Sequence, residues 1–120
     1  VPQLKAVFDP ANFVQCGQDT LEAWEMLHPY ITYMHIKDSL YDGTIVLPGT
    51  GDGHVPEIVK MYTQQGGVLF TLEPHLAVFD GLKDLEQDGQ TSHVGHMAFE
   101  TKEAAFDCAA QNLIKILNNL

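Results

Sequence analysis

The sequence contains no arginine, and lysine is its only strongly basic residue. Six lysines stand against 16 acidic residues, which gives 120 residues a formal net charge of -10. Without a guanidinium group the chain cannot bind a phosphate or a guanine edge through two parallel hydrogen bonds, and its negative charge repels a nucleic-acid backbone. The composition therefore argues against nucleic-acid binding and leaves metal cations and neutral polar ligands as candidates.

Cysteine is scarce, and long apolar runs are absent. Cys16 and Cys108 lie far apart in the chain and match neither a zinc-site spacing nor a disulfide framework, which predicts a reducing, cytoplasmic compartment. The longest apolar runs are only a few residues, far below the roughly 20 needed to cross a bilayer. No basic and then apolar leader begins the chain, so we expect neither membrane insertion nor export.

The apolar content is high enough for one globular core. Hydrophobic residues make up 45% of the chain, which argues against disorder and predicts a single domain over residues 1–120. The sequence opens with Val1 and Pro2 rather than methionine and enters an apolar stretch almost at once. We therefore expect it to be a piece of a longer protein.

One pattern occurs three times along the chain: an apolar run, a Gly/Pro loop, and then helical periodicity. The apolar runs are 4–9, 31–38 and 68–74. Because helical crossovers join parallel strands, the pattern predicts an α/β fold of three βα units whose strand C-termini share one edge.

Helix signals separate the strands. Asp19 and Glu22 have the spacing of a capping box, with Trp24 on the buried side of the helix that follows. Pro56 suits a first helical turn, and the stripe that runs from Val55 to Tyr62 stops at two glycines. A last helix is predicted over 102–119, with a buried stripe at Phe106, Ala109, Leu113, Leu117 and Leu120.

Three segments are predicted to be loops. These are 10–18, the polar stretch after Asp38 through Gly53, and a segment of about 25 residues after Pro74 that is long enough to be functional or mobile. His93 and His96 lie in that last segment and are interpreted as surface residues able to hold a stray metal ion.

Three residues with metal-binding side chains lie at or near the ends of the predicted strands: Asp9, His35 and Glu73. The C-terminal edge of a parallel sheet is where α/β folds place their active sites. A mixed oxygen and nitrogen set suits Mn²⁺, Zn²⁺, Co²⁺ or Fe²⁺ better than Ca²⁺, and Mg²⁺ is a further candidate. The structural alternative is that Asp9 caps a loop, His35 is a hydrogen-bonded core histidine and Glu73 is a solvated strand-end carboxylate.

Four motifs in order resemble the sugar phosphate isomerase/epimerase family, whose fold is a xylose isomerase-like TIM barrel. They are Phe8-Asp9-Pro10-Ala11-Asn12, Met34-His35-Ile36-Lys37-Asp38, Pro48-Gly49-Thr50-Gly51-Asp52-Gly53 and Leu72-Glu73-Pro74-His75-Leu76. The resemblance covers nearly the whole chain, but the chain corresponds only to the last three βα units of an eight-unit barrel. It implies a partial-barrel domain over residues 1–120 that forms the C-terminal part of such an enzyme.

The resemblance also implies a divalent metal held by glutamate, aspartate, histidine and glutamate from the last four strands. Asp9, His35 and Glu73 match the last three, and the first glutamate would precede Val1. In such enzymes the metal polarises a carbonyl and stabilises an enediolate while metal-bound glutamates move the proton. Glu73 would then be catalytic, and Glu73→Gln would abolish turnover of the intact enzyme without unfolding it. The present chain alone is expected to be inactive.

Three further polar residues are candidate contacts for a sugar or polyol substrate. Asn12 has an amide that can bond a hydroxyl, or it is an Asx-turn residue. Lys37 is predicted to share the face of His35 and either contacts a substrate oxygen or balances the carboxylates. His75, two residues after Glu73, either lines the pocket or belongs to a loop.

Other interpretations remain open at this point. A metal-dependent phosphodiesterase is disfavoured by the charge, and a non-catalytic partial-barrel module or truncated product is the alternative from a different class. Three strands taken from a barrel leave two open edges and an apolar inward face, so we expect the chain to form a homo-oligomer that covers the open side.

Overall fold

The computed structural model describes residues 1–76 and 99–120 and the backbone of residues 93 and 94. Its strands are β1 (Ala6–Phe8), β2 (Ile31–Ile36), β3 (Asp38–Ser39), β4 (Thr44–Val46), β5 (Phe70–Leu72) and β6 (His93–Val94). Its helices are α1 (Pro10–Gln15), α2 (Thr20–Leu27), α3 (Val55–Gln64) and α4 (Lys102–Asn118), with a short 3-10 turn at His28–Tyr30. The long segment predicted to be a loop after Pro74 lies mostly outside the described residues, as do the side chains of His93 and His96.

The central element is a parallel sheet in the order β1-β2-β5. Phe8 lies opposite Met34, and further along β2 His35 lies opposite Thr71. Helices connect these strands, so the chain has a mixed α/β fold with parallel strands, as the repeated pattern predicts.

The second strand is preceded by α2, whose start is the predicted one. The Asp19 side chain accepts a 2.9 Å hydrogen bond from the backbone N–H of Glu22, which satisfies one of the free donors of the first turn. Trp24 is buried and meets the ring of Phe8 edge-on, with ring centroids 5.2 Å apart. This contact seals α2 against the first strand.

Strand β5, the third strand of the central sheet, is preceded by α3, which also begins and ends near its predicted limits. Pro56 lies in the first turn, and the residues that face the sheet are buried: Val55, Ile58, Val59 and Tyr62. The chain leaves the helix through Gly66, whose φ of 91° is a left-handed conformation that glycine adopts without steric cost. Together with Phe8, Trp24, Met34 and Ile36, this stripe forms the main hydrophobic core.

The last helix has the predicted length, and its predicted stripe is buried in part: Ala109 is buried, and Leu113 and Leu117 pack against the main core. Ala105 and Ala109 are buried against Ile45, Leu47 and Leu76, whereas Phe106 and Leu120 are 48% and 49% exposed. Small residues let the helix approach its neighbours closely, and the large Phe106 lies outside that contact. The prediction of Phe106 and Leu120 as core residues is therefore wrong.

Two of the predicted loops contain regular structure. Residues 10–15 form α1, with Asp9 as its N-cap and Pro10 in its first turn. After β2, the strands β3 and β4 pair antiparallel, and β4 also pairs with β6 in parallel. The segment 39–53 is thus partly a small sheet next to the end of β2.

The face of the central sheet opposite the main core is open within the described part of the chain. Strand alternation places Val7, Tyr33, His35 and Thr71 on this face, which is more polar than the predicted apolar inward face. Strands β1 and β5 form the two edges of this sheet. No helix among the described residues has the length and apolar character needed to span a membrane.

Candidate metal centre

The three predicted metal ligands lie together at one edge of the parallel sheet. Asp9 directly follows β1, His35 lies near the end of β2, and Glu73 directly follows β5. The backbone N–H of Glu73 donates a 3.0 Å hydrogen bond to the carbonyl of Ile36, which fixes the position of Glu73 beside the end of β2. Parallel pairing therefore brings residues from distant parts of the sequence to a common site.

Distances between the side chains are short. Nδ1 of His35 lies 3.4 Å from Oε2 of Glu73 and 3.9 Å from Oδ2 of Asp9. One potential ligand atom from each of the three residues lies within 4.8 Å of the other two. Asp9 is buried, while His35 and Glu73 are partly exposed.

These distances fit a divalent transition metal. Metal–nitrogen and metal–oxygen bonds of about 2.1 Å allow two ligands of one ion to be at most about 4.2 Å apart. Both contacts of His35 satisfy that limit, whereas the 4.8 Å within which all three ligand atoms lie is longer, so binding one ion would require the carboxylates to move closer together. The Nδ1 atom of His35 is the nitrogen that faces both carboxylates.

Asp9 uses its two carboxylate oxygens for different purposes. Oδ1 accepts a 3.3 Å hydrogen bond from the backbone N–H of Asn12 and caps α1. Oδ2 faces His35 and Lys37. The capping role and the proposed ligand role of Asp9 are therefore compatible, because each needs only one oxygen.

Lys37 and Asn12 lie directly beside this carboxylate. The Lys37 ammonium is 3.2 Å from Oδ2 of Asp9 and donates a 3.1 Å hydrogen bond to Oδ1 of Asn12. Lys37 is only 7% exposed, so the ion pair is largely shielded from solvent. The structure thus places both predicted substrate contacts at the site, and it shows Lys37 balancing a carboxylate.

His75 is the third predicted substrate contact, and it lies close enough to the charged groups of the site for them to change its pKa. Burial lowers the pKa of its imidazole, and the Lys37 ammonium lowers it further, whereas Glu73 and Asp9 act in the opposite direction. Its φ of 46° is left-handed, which is uncommon for a residue with a Cβ. Such backbone strain often accompanies functional sites.

Tyr33 and Thr71 also lie near the site, and the sequence did not predict a role for either. The hydroxyls of Tyr33 and Thr71 are 2.6 Å apart, and the Tyr33 ring meets the His35 ring edge-on with centroids 5.0 Å apart. Tyr33 precedes His35 by two positions, and Thr71 precedes Glu73 by two positions, so extended backbone places each on the side of the proposed ligand that follows it. That spacing was the available signal for Tyr33 and Thr71.

Comparison of the chain with protein-family models, curated proteins and solved structures finds no match.

Proposed function

We propose that Asp9, His35 and Glu73 bind one divalent metal ion, and that the chain is the C-terminal part of a metal-dependent sugar or polyol isomerase or epimerase. The observation that carries the metal proposal is the convergence of their ligand atoms within 4.8 Å of one another. The type of reaction rests on the motif resemblance. Mn²⁺, Zn²⁺, Co²⁺ and Mg²⁺ are the candidate ions.

The chain's own residues have chemistry suited to this reaction. A bound divalent ion would polarise a substrate carbonyl and stabilise the enediolate that proton transfer produces. Glu73 is partly exposed, with 36% of its side chain accessible, so its carboxylate can reach a substrate proton from the open side of the site. Lys37, Asn12 and His75 supply the polar groups that would orient substrate hydroxyls.

The sheet β1-β2-β5 is proposed to be the last part of a TIM barrel. Its ligands stand at the C-terminal ends of parallel strands, where such barrels hold their active sites. A fourth ligand and much of the substrate pocket would then come from other strands of the parent protein. We accordingly propose that the present chain alone is inactive.

Metal titration tests the site directly. We expect the purified chain to bind about one Mn²⁺ per molecule in isothermal titration calorimetry. His35→Ala and Glu73→Gln should each lose most of that affinity, because each removes a ligand atom. His28→Ala is the matched histidine control, since His28 bonds Gln65 away from the site. Unchanged binding in both ligand variants would contradict the proposed centre.

Turnover tests the reaction and separates it from a non-catalytic module. The parent protein, loaded with Mn²⁺, should interconvert members of a panel of ketoses and polyhydroxylated ketones, whose carbonyl the enediolate requires, and exchange a substrate C–H proton with deuterated water. Glu73→Gln should abolish both readouts while preserving the circular dichroism spectrum, and Glu57→Gln, exposed on α3, should preserve activity. Metal binding without exchange on any substrate would favour the non-catalytic module.

We also propose that the chain forms a homo-oligomer and works in the cytoplasm. The edge strands β1 and β5 flank an open face, where Val7 in β1 is 46% exposed and Leu69, just before β5, is 55% exposed. Unpaired strand edges favour association with another strand. Light scattering at working concentration should report a dimer or larger species, and a monodisperse monomer would contradict this.

A further inference from the structure

Lys37 is buried beside the proposed metal centre and forms an ion pair with the Asp9 oxygen that would bind a metal ion. Its ammonium is 3.2 Å from Oδ2 of Asp9, and the same oxygen is the one that lies 3.9 Å from Nδ1 of His35. The other Asp9 oxygen is engaged by the backbone of Asn12. A metal ion bound at this centre and the Lys37 ammonium would therefore compete for the same carboxylate oxygen, Oδ2 of Asp9.

We propose that Lys37 is an internal competitor that lowers the metal affinity of the centre and keeps Asp9 in position when no ion is bound. This inference rests on the metal site proposed above and assigns that site an electrostatic control. Both partners are buried, with Lys37 7% and Asp9 6% exposed, so water screens their interaction weakly. A divalent ion bound to Asp9 would face a positive charge at close range.

Asn12 provides the means by which this competition can be relieved. Its Oδ1 accepts the second hydrogen bond of the ammonium at 3.1 Å and carries no net charge. When Asp9 turns its oxygen to a metal ion, Lys37 keeps a hydrogen-bond acceptor and does not become a buried cation without partners. The ammonium is thus shared between a charged acceptor that the metal needs and a neutral acceptor that it does not need.

Lys37→Met provides the direct test, because methionine fills a similar volume without a charge. We expect its Mn²⁺ dissociation constant to fall by about tenfold or more relative to wild type. Without metal, the variant should melt at a lower temperature, because Asp9 is left as a buried carboxylate without its cation. Added Mn²⁺ should raise its melting temperature more than that of wild type.

Lys60→Met is the matched control. Lys60 is exposed on α3, so the substitution changes the net charge by the same amount without touching the site. We expect its Mn²⁺ affinity to stay within about twofold of wild type, since exposed charges are screened by salt. A gain equal to that of Lys37→Met would assign the effect to net charge and overturn the inference.

Asn12→Ala provides a second variant whose effect should be opposite. Asn12 is exposed, so the fold should tolerate alanine there and the test survives if Lys37→Met does not fold. Without the neutral acceptor, Lys37 has only Asp9, and we expect Mn²⁺ to bind about threefold or more weakly than to wild type. Unchanged affinity in Asn12→Ala would contradict the competition.

The combined results separate this inference from the metal proposal. Tighter binding in Lys37→Met together with weaker binding in Asn12→Ala supports both. Equal, measurable binding by wild type, Lys37→Met and Asn12→Ala overturns the role of Lys37 and leaves the metal centre standing. Absence of Mn²⁺ binding in wild type and in Lys37→Met overturns both.

Discussion

Oδ2 of Asp38 lies 2.9 Å from the backbone nitrogen of Gly51, and this contact is one of four hydrogen bonds that the Asp38 carboxylate accepts from backbone N–H groups. The other donors are the backbone N–H groups of Ser39, Gly49 and Gly53. Asp38 has no exposed surface, so these bonds replace the water that a carboxylate normally binds. The carboxylate thereby holds the glycine-rich loop 49–53 against β3.

This loop reaches the candidate metal centre through α1. A Cβ atom added at Gly53 would lie 3.2 Å from Cβ of Pro10, the residue that follows Asp9. The hydroxyl of Ser39 also donates a 3.4 Å hydrogen bond to the carbonyl of Ala11. The loop and β3 therefore support the start of the helix that Asp9 caps.

Gly51→Ala should destabilise the fold by about 2–3 kcal/mol, through overpacking and the loss of a hydrogen bond. A Cβ atom at this position would lie 2.5 Å from Oδ1 of Asp38 and 2.6 Å from the carbonyl oxygen of Ser39, so the loop must move. Urea denaturation measures the change. Thr50→Ala, in the exposed neighbour, should cost less than about 1 kcal/mol. Equal costs would show that the loop absorbs the added methyl group.

The stability of the protein should depend on pH through Asp38. Burial raises the pKa of its carboxyl above the ordinary value of 3.8, although the N–H groups of Gly51, Gly53, Gly49 and Ser39 act against this. A raised folded-state pKa means that the folded chain binds the proton before the unfolded chain does. The contribution of Asp38 to the free energy of unfolding therefore rises as pH falls through the raised pKa towards 3.8.

Asp38→Asn isolates that contribution, because asparagine does not titrate. The difference in free energy of unfolding between wild type and Asp38→Asn should shift in favour of wild type as pH falls through the raised pKa of Asp38 towards 3.8. Urea titrations at several pH values measure it. A shift in the opposite direction would mean that the four N–H groups outweigh burial and lower the pKa.

Local signals in the sequence predict the parts of the fold that depend on neighbouring residues. Asp19 caps α2, and the apolar stripe along α3 is buried, because capping and periodicity depend on residues within one or two turns of each other. The prediction fails at Phe106, which lies beside a contact made by two alanines. Periodicity alone does not show which part of an apolar face is close enough to pack.

The sequence identifies the candidate ligands of the site but not the hydrogen bonds that surround them. The end of each parallel strand identifies Asp9, His35 and Glu73, since parallel pairing sets their common edge. The hydrogen bond from Lys37, which lies between β2 and β3, to Asn12 in α1 joins distant parts of the sequence, and no sequence spacing predicts it. The hydrogen bonds from the glycine-rich loop 49–53 to Asp38 also join residues far apart in the sequence. For the same reason the sequence does not predict the pairing of β3 with β4.

Tyr62→Phe should destabilise the protein by about 1–2 kcal/mol. The hydroxyl of Tyr62 donates towards two backbone carbonyls, of Thr32 at 3.0 Å and Leu69 at 3.2 Å, and thus links β2 to the segment that enters β5. Phenylalanine keeps the ring in the core but leaves both carbonyls without this donor. Tyr30→Phe, with Tyr30 58% exposed, should change stability by less than about 0.5 kcal/mol. Equal effects in thermal melts would refute the role of the link.

Tyr33 is expected to orient His35 through its ring rather than through its hydroxyl. The ring meets the imidazole at an interplanar angle of 88°, while the hydroxyl bonds the exposed Thr71. If the metal centre is as proposed, Tyr33→Phe should keep Mn²⁺ affinity within about twofold, and Tyr33→Leu should weaken it by about tenfold, as is common when a residue that orients a ligand is lost. Calorimetric titration of both variants measures this. Equal weakening in both would instead make the bond between the Tyr33 and Thr71 hydroxyls the element that holds the imidazole in place.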